Sequence, residues 1–231
     1  MKREAKKLRK IILILVVLFA VQNTAIGEDK NLNSILDQVQ STYERINDFH
    51  AKFTQEATIR SLNQVQRADG EVWLKKPGKM RWNYYRPNKE EIVSDGSKIW
   101  FYNQEEKQVV ESSLIEVMDT PTTTTLLSGL GNIKEQFNAR FSDSAFADQD
   151  GSYLVDLLPR DNSAEEEYNK VTIAVDRKSM LVNTIYLYDP FGNLTKVNLH
   201  DIKINKGVSD SLFNFKVPKG VELIKAPSVK Q

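Results

Sequence analysis

The sequence predicts an α+β domain built on a large, curved antiparallel β-sheet. Three observations lead to this fold class. One early segment repeats its apolar residues at helical spacing, many later segments alternate apolar with polar residues, and turn-forming residues separate those segments. Because no internal repeat or linker is visible, we expect a single domain.

Residues 1–27 have the composition of an export signal rather than of a folded element. Six Lys and Arg residues precede the apolar stretch Ile11–Val21, which is too short to span a bilayer. Ala25-Ile26-Gly27 fits a small-x-small cleavage site. We therefore expect a cleaved signal peptide at residues 1–27 and an exported domain at residues 28–231, with an uncleaved membrane anchor as the alternative.

The composition of the exported part excludes several kinds of site. The chain has no cysteine, so disulfides, thiolate metal sites and a lipid-modified N-terminal cysteine are impossible. Without residues 1–27 the chain keeps 26 basic and 30 acidic residues, a net charge of −4. This charge gives no reason to expect nucleic-acid binding.

The exported chain begins with one amphipathic helix followed by a strand. The helix is indicated by apolar residues at helical spacing, and Asn31 can cap its start. These apolar residues are Leu32, Ile35, Leu36, Val39, Tyr43 and Ile46. The segment Phe49–Ile59 then alternates in the period of a strand.

The segment Gly70–Tyr102 holds all three tryptophans and predicts an antiparallel meander. Turn signals at Lys76-Pro77-Gly78 and Asp95-Gly96-Ser97 divide it into three strand-like runs, and Lys107–Ser112 is a further short strand candidate. Residues two apart in a strand share a face of the sheet, so alternate positions form sets of equal parity. One such set contains Val72, Leu74, Met80, Trp82 and Tyr84, and the remaining positions include Trp73, Tyr85, Val93, Ile99 and Phe101. A sheet with one solvent-exposed face alternates apolar with polar residues, whereas this meander has apolar residues at both sets of positions. We therefore expect both faces to be covered and the sheet to wrap around apolar material.

The second half of the chain predicts a weak helix and then more strands. Pro121 fits the first turn of a helix in Asp119–Asn132, but the threonines disfavour it and Gly129 and Gly131 loosen its end. Strand candidates follow at Phe137–Phe146, Ser152–Leu158, Tyr168–Asp176, Leu181–Asp189, Leu194–Ile204 and Phe213–Val217. Between them we expect an acidic loop at Asp161–Glu167 and a turn at Asp189–Asn193.

Signatures of enzymes and of metal sites are missing from the sequence. It lacks a Gly-x-Ser-x-Gly elbow, and Gly129-Leu130-Gly131 lacks the third glycine of a dinucleotide loop. His50 and His200 have no partner at ligand spacing and are expected at the surface or at a strand edge. Asp148 and Asp150 suggest a calcium loop, but its downstream acid is absent. We therefore expect no catalytic residue, no metal and no cofactor.

Four cations bracket the first turn of the meander, beside two of the tryptophans. They are Lys75, Lys76, Lys79 and Arg81. Two interpretations stay open. The cations form a solvated hairpin tip, with Arg81 stacked on a tryptophan, or one of them is a latch that donates hydrogen bonds to backbone carbonyls of Asp119–Asn132 and holds a weak lid shut.

Several blocks of this sequence resemble the periplasmic outer-membrane lipoprotein carrier proteins. The blocks are FHAKFTQ, GEVWLKKPGKMRW, IVSDGSKIWFY, PFGNLTK and FNFKVPKGVEL. Of these, the pattern VSDG-x-x-IWFY is the most specific, and the resemblance extends from about Asn31 to the C-terminus. It implies an unclosed antiparallel β-barrel with helices covering an apolar cavity.

The resemblance also implies a function that is not enzymatic. Such a chaperone takes acylated lipoprotein cargo from an ATP-driven exporter in the inner membrane and carries it through the periplasm to a receptor in the outer membrane. It uses no cofactor, has no nucleic-acid partner and is expected to be a monomer. The alternative is an envelope sensor that binds lipoproteins or other amphiphiles on the same fold; an envelope hydrolase or a structural domain is a third possibility.

The resemblance assigns candidate roles to named residues. The cavity lining candidates are Phe53, Val72, Leu74, Met80, Trp82, Tyr84 and Trp100. The lid candidates are Leu126, Leu127 and Leu130, and the latch candidates are Lys76 and Arg81. Parity alone does not decide which face of the meander lines the cavity.

Two positions depart from the pattern of the family. Lys76 occupies the place where an arginine typically precedes the turn proline, and an ammonium lacks the planar fork of a guanidinium. Met80 occupies a place where a bulky aromatic residue is common, and methionine is flexible. Both departures indicate a looser or differently tuned lid.

Overall fold

The computed structural model describes residues 31–118, 133–143, 151–160 and 169–226. The described helices are α1 (Leu32–Glu44), α2 (Leu114–Met118) and α3 (Ile133–Gln136). The strands are β1 (Asp48–Ile59), β2 (Gln64–Lys75), β3 (Lys79–Arg86), β4 (Glu90–Asp95), β5 (Lys98–Asn103), β6 (Gln108–Ser113), β7 (Phe137–Phe141), β8 (Ser152–Pro159), β9 (Lys170–Asp176), β10 (Val182–Tyr188), β11 (Leu194–Ile204) and β12 (Glu222–Lys225). Single 3-10 turns lie at Arg60–Leu62 and Asp210–Phe213.

All of these strands belong to one unclosed sheet. Its order is β12-β6-β5-β4-β3-β2-β1-β11-β10-β9-β8-β7, and β12 and β7 lie at its two ends. The pairs are antiparallel except for β12, which runs parallel to β6. The long strand β1 joins the meander on one side to the strands of the second half on the other. The predicted α+β fold with an unclosed antiparallel sheet is therefore confirmed.

Helix α1 packs on one face of this sheet, which we call the α1 face. The residues that its helical spacing singled out become its buried stripe. The fully buried ones are Ile35, Leu36, Val39 and Tyr43, all in one hydrophobic cluster with the sheet residues, and Leu32 is partly buried against the same cluster. The helix ends at Glu44, before the position of Ile46, but Ile46 is still buried in the same cluster. No helix in the described ranges is long and apolar enough to cross a bilayer.

The C-terminal end of α1 is fixed to the sheet by polar contacts as well. The Tyr43 hydroxyl accepts a hydrogen bond from the backbone N–H of Val182 at 3.1 Å. The side-chain amide of Asn205 donates to the carbonyl of Arg45 at 3.1 Å. The first contact satisfies a buried backbone N–H that would otherwise be unpaired, and the second gives a partner to a carbonyl just after the helix end. Together they hold the last turn of α1 in place.

Substituting Tyr43 should change how stability depends on pH. Burial raises the pKa of Tyr43 to about 12, against a smaller opposing effect of the hydrogen bond from Val182. The unfolded chain ionises this tyrosine near pH 10, so stability is complete below pH 10 and falls by roughly 2–3 kcal/mol as the pH rises to 12. Tyr43→Phe should remove that part of the alkaline loss while costing about 1–3 kcal/mol at neutral pH. Chemical unfolding at neutral and at alkaline pH measures both effects, and equal pH dependence in the two proteins would contradict the assignment.

The opposite face of the meander, which we call the outer face, is covered by the C-terminal segment 205–221. Here Val93, Trp100 and Val109 form a second buried cluster. Phe215 stacks on Trp100 with ring centroids 5.7 Å apart, and Val221 packs beside it. The prediction that both faces of the meander need cover is confirmed, because each face has its own apolar cluster.

Near the C-terminus one predicted strand was wrong and one observed strand was not predicted. Phe213–Val217 alternates like a strand, but it contains no strand; Asp210–Phe213 is a 3-10 turn and the chain then runs across the outer face. Its alternation reflects Phe213 and Phe215 packing on the sheet, not pairing within it. Nothing in the sequence pattern indicated β12, a short edge strand whose residues are exposed.

Other element boundaries shifted. The middle run of the meander is two strands, β3 and β4, because Pro87 and its neighbours form a turn. The strand predicted at Phe137–Phe146 ends at Phe141. The turn at Asp189–Asn193 is confirmed by a hydrogen bond from the Gly192 N–H to the Asp189 carbonyl at 3.1 Å. Three predictions fall outside the described residues: the signal peptide at residues 1–27, the weak helix in Asp119–Asn132 and the acidic loop at Asp161–Glu167.

Candidate functional site

The strand register brings six of the seven cavity candidates to the α1 face. Val72 pairs with Trp82 and Leu74 with Met80 across β2 and β3. Directly paired residues share a face of the sheet, and so do residues two apart in a strand. The six are Phe53, Val72, Leu74, Met80, Trp82 and Tyr84, all in or against the cluster that contains α1. The structure therefore assembles them beneath one helix; their role as a lipid lining remains a prediction.

An aromatic group lies at the centre of this face. Phe53 packs edge-on against Trp82 and Tyr84, with ring centroids 4.9 Å apart in both pairs. Its register partner on β2 is Gly70. A methyl group at Gly70 would lie 2.8 Å from the Phe53 ring and 1.9 Å from the Asn83 carbonyl oxygen, so glycine is what lets the ring lie across β2.

The apolar surface ends in a polar rim near the far end of β3. The Tyr84 hydroxyl donates to the Gln55 side chain at 3.3 Å. Beside them Glu90 pairs with Tyr84 across the strands and accepts a hydrogen bond from Asn103 at 3.3 Å. Along β3 the α1 face therefore changes from fully apolar at Met80 to polar beyond Tyr84.

The second half of the sheet extends the same apolar face, and the candidate list missed it. Strands β8 to β11 contribute buried aliphatic residues to the cluster beneath α1. They include Val155, Leu157, Val171, Ile173, Ile185, Leu187, Val197 and Leu199. The alternation of Val171, Ile173 and Val175 was visible in the sequence, but nothing in it tied these strands to the meander. That link depends on β1 pairing with β11.

Trp100 does not belong with the other six candidates. It pairs with Val93 on β4 and lies on the outer face, where Phe215 covers it. Its indole N–H donates to the Glu111 carboxylate at 2.8 Å. The hydrogen bonds from Lys98 and then from Trp100 lower the pKa of Glu111. We therefore remove Trp100 from the candidate lining; its neighbours Ile99 and Phe101 face α1 instead.

Lys76, a latch candidate, contacts the C-terminal end of α1. Its ammonium donates to the carbonyl oxygens of Tyr43 at 2.7 Å and of Glu44 at 3.1 Å. Both carbonyls lie at the end of the helix, where the Tyr43 oxygen also accepts from the Ile46 N–H at 3.2 Å and where a cation interacts favourably with the helix dipole. Lys76 therefore fastens α1 to the β2–β3 turn. The segment Asp119–Asn132 lies outside the described residues, so the role of Lys76 as a latch for it stays a prediction.

The other cations of the first turn hold the C-terminal segment on the outer face. Arg81 donates to the Leu212 carbonyl at 3.0 Å and to Glu91 at 2.5 Å. Lys79 and Lys75 both pair with Asp210, at 2.8 and 3.1 Å, and these hydrogen bonds lower the pKa of Asp210. Arg81 was expected either at a solvated hairpin tip or stacked on a tryptophan, and its contacts with Leu212 and Glu91 match neither expectation. Its role as a latch stays a prediction.

The histidines do not form a metal site within the described part of the chain. His200 is exposed on β11, as expected. His50 is not at a strand edge, because β1 is paired on both sides; its ring stacks on Trp73 at 4.9 Å and its Nε2 lies 3.1 Å from Glu71. Among the residues that the structure describes, no three His, Asp or Glu side chains are grouped to bind a metal ion.

Comparisons with known proteins agree with one another on the family. A sequence profile described as "Outer membrane lipoprotein carrier protein LolA" matches residues 44–216. A protein of Azotobacter vinelandii named outer-membrane lipoprotein carrier protein is 28% identical, and the match covers 94% of this chain and 99% of that protein. A protein of the same name from Pseudomonas aeruginosa is 30% identical, and the match covers 75% of this chain and 79% of that protein.

A solved structure has the same fold. The uncharacterized conserved protein from Thermus thermophilus superposes with a TM-score of 0.54 at 12% sequence identity. The superposition covers 84% of this chain and 98% of that protein. At this identity the likeness concerns the fold alone.

Proposed function

Because the chain belongs to the outer membrane lipoprotein carrier protein LolA family, we propose that it is a periplasmic chaperone for acylated lipoproteins. It binds the acyl chains of lipoproteins released from the inner membrane and carries them to a receptor at the outer membrane. The observation that carries this proposal is the α1 face, a broad apolar surface of the sheet that lies beneath a helix and ends in a polar rim.

The proposal meets a physical need. An acyl chain of about fifteen methylenes costs roughly 12 kcal/mol to expose to water, at ~0.8 kcal/mol for each methylene. A lipoprotein with several such chains cannot cross an aqueous compartment uncovered. A carrier has to hide that surface and also release it without hydrolysing ATP, so its closed and open states have to differ by only a few kcal/mol.

In this proposal the part that moves is the lid segment, Asp119–Asn132. The C-terminal end of α1 is fixed by Lys76, by the Tyr43–Val182 hydrogen bond and by Asn205. A helix held at so many points is a poor gate. We therefore assign the moving cover to Leu126, Leu127 and Leu130, which plug the empty cavity and swing away with cargo.

The route across the envelope follows from the same proposal. Residues 1–27 direct export and are cleaved. An ATP-driven exporter in the inner membrane supplies the acylated lipoprotein, and the outer-membrane receptor takes it because its own acyl site binds more strongly. The carrier itself needs no nucleotide, since each transfer runs downhill in free energy.

Reconstitution tests the proposed function. The mature chain, residues 28–231, is mixed with a synthetic triacylated lipopeptide in detergent, the detergent is removed, and the mixture is separated by size. We expect the lipopeptide to stay in solution and to co-elute with the protein, while the same peptide without acyl chains does not. Precipitation of the lipopeptide in the presence of folded protein would contradict the proposal.

Lys76→Leu should affect cargo release more than folding. The side chain is exposed, so its loss from the end of α1 should lower the free energy of unfolding by only about 0.5 kcal/mol. As the proposed latch, Lys76 also donates to backbone carbonyls of the lid segment in the closed empty state, and the open cargo-bound state lacks that contact. Its loss makes expelling cargo less favourable, so transfer of a bound lipopeptide to liposomes should slow by roughly tenfold, a factor worth about 1.4 kcal/mol.

Two variants serve as controls for Lys76→Leu. Lys76→Arg keeps the charge and the donors, so it should transfer cargo at nearly the wild-type rate. Lys79→Leu removes a cation from the same hairpin, but one that pairs with Asp210 on the outer face, so it should leave transfer unchanged. If Lys76→Leu lowered the free energy of unfolding by as much as the free-energy equivalent of its slower transfer, Lys76 would have only a structural role.

A further inference from the structure

Trp82 has a buried hydrogen-bond donor that the fold does not use. Its side chain is 5% exposed and lies on the α1 face against Phe53. Within the described residues its indole Nε1 meets no acceptor at hydrogen-bond distance. Buried indole N–H groups usually find a partner, because burying a donor without an acceptor is unfavourable. An unused donor at the centre of a proposed binding surface is therefore a candidate contact for a ligand.

Trp100, on the outer face, shows the usual arrangement of a buried indole. It donates from its Nε1 to Glu111 at 2.8 Å. Phenylalanine at this position would also place a flat apolar ring on the α1 face, and it would leave no donor unpaired. The indole nitrogen of Trp82 therefore adds nothing to the packing of the α1 face that an apolar ring would not supply.

The position of Trp82 along β3 suggests which acceptor it meets. It lies between Met80, in the fully apolar part of the face, and Tyr84, whose hydroxyl begins the polar rim with Gln55. Residues two apart in a strand are separated by about 7 Å. In an acylated lipoprotein the ester and amide carbonyls lie at the same kind of boundary, between hydrocarbon chain and polar head.

We propose that the Trp82 indole N–H donates a hydrogen bond to the carbonyl oxygen at the head of a bound acyl chain. This inference rests on the proposed function, since it needs an acyl ligand on the α1 face. The contact fixes how deep the chain enters, with the hydrocarbon toward Met80 and the head group toward Gln55 and Tyr84. It also gives the site a preference for acyl esters and amides over plain alkyl chains.

Two synthetic ligands test the inference. One is a peptide with an S-diacylglyceryl cysteine, whose chains are joined by esters; the other is the same peptide with ether-linked chains of equal length. The wild-type protein should bind the ester ligand about fivefold more tightly, the factor that one net hydrogen bond supplies. Trp82→Phe should bind both ligands with the affinity that the wild type shows for the ether.

Indole NMR signals give a second readout that does not depend on the variant. In protein labelled with ¹⁵N-tryptophan, the Trp82 indole proton should shift downfield with the ester ligand and not with the ether. The Trp100 indole, already bonded to Glu111 on the outer face, is the internal reference and should not move. The chain has three tryptophans, so the spectra of Trp73→Phe and Trp100→Phe assign the other two indole signals and the third belongs to Trp82.

The possible results distinguish a failure of the Trp82 contact from a failure of the proposed carrier function. Equal binding of the two ligands, with no ester-specific shift of the Trp82 signal, would overturn the inference and leave the carrier function standing. Binding of neither ligand by folded wild-type protein would overturn both. Tighter binding of the ester together with the Trp82 shift would establish the contact, even if Trp82→Phe fails to fold.

Discussion

Gly70→Ala is expected to lower the free energy of unfolding by about 3 kcal/mol or more, because the added methyl has no space between strands. It would lie 1.9 Å from the carbonyl oxygen of Asn83 and 2.8 Å from the ring of Phe53. A ring can tilt, but the Asn83 oxygen belongs to the backbone of β3. The β2–β3 pairing itself would therefore have to open, which disturbs the sheet beneath Trp82 and Tyr84.

Denaturant unfolding followed by circular dichroism measures this effect. Gly151→Ala is the matched control, since no atom of the described residues lies within 4 Å of its added methyl. Its positive φ of 70° should still make that variant less stable, by about 1 kcal/mol. A Gly70→Ala protein no less stable than Gly151→Ala would mean that β2 and β3 do not approach each other as described.

Phe53→Ala should cost about 3–5 kcal/mol of stability, the usual range for removing a buried aromatic side chain. Phe53 is 1% exposed, and its ring supports both Trp82 and Tyr84 at 4.9 Å. Truncation leaves a cavity in the middle of the α1 face and uncovers Gly70. The two edge-to-face contacts are lost as well, each worth about 0.5–1.5 kcal/mol beyond area burial.

Phe191→Ala is the control for Phe53→Ala, because it removes the same side chain from a turn where that side chain is 83% exposed. We expect it to change stability by no more than about 0.5 kcal/mol. The two variants are compared by thermal and by denaturant unfolding. If Phe53→Ala were tolerated as well as Phe191→Ala, Phe53 would not be part of a packed core.

Much of the fold could be predicted from the sequence, because alternation and turn residues are local signals. The strand at Leu194–Ile204 was predicted with the bounds that the structure has, and α1 followed from its apolar spacing. The errors arose where a local pattern has two physical origins. Phe213 and Phe215 alternate because they pack on the outer face of the meander, and a strand would show the same period.

The composition of the candidate site was harder to predict than the fold. Parity is reliable within a strand, so Val72, Trp82 and their neighbours were grouped correctly on one face. Parity does not carry across a turn of unknown geometry, which is why Trp100 was placed with Trp82 although it lies on the outer face. The unpaired indole of Trp82 could not be foreseen at all, since it depends on where the surrounding acceptors lie.

The cations show a similar limit. Sequence spacing placed Lys76 and Arg81 beside the same turn, and chemistry made both plausible donors to a helix. The structure separates them by the side of the sheet that each one serves. Lys76 reaches the end of α1, while Arg81 holds Leu212 on the outer face. Two residues that look interchangeable in the sequence thus fasten different segments to the meander.

Native mass spectrometry of the protein purified gently from periplasm tests most directly whether this chain carries lipoproteins. We expect a species whose added mass is that of an acylated lipoprotein, which detergent releases and which can then be identified. A protein that purifies without any such ligand, and that also fails to keep an added triacylated lipoprotein in solution, would not be a lipoprotein carrier.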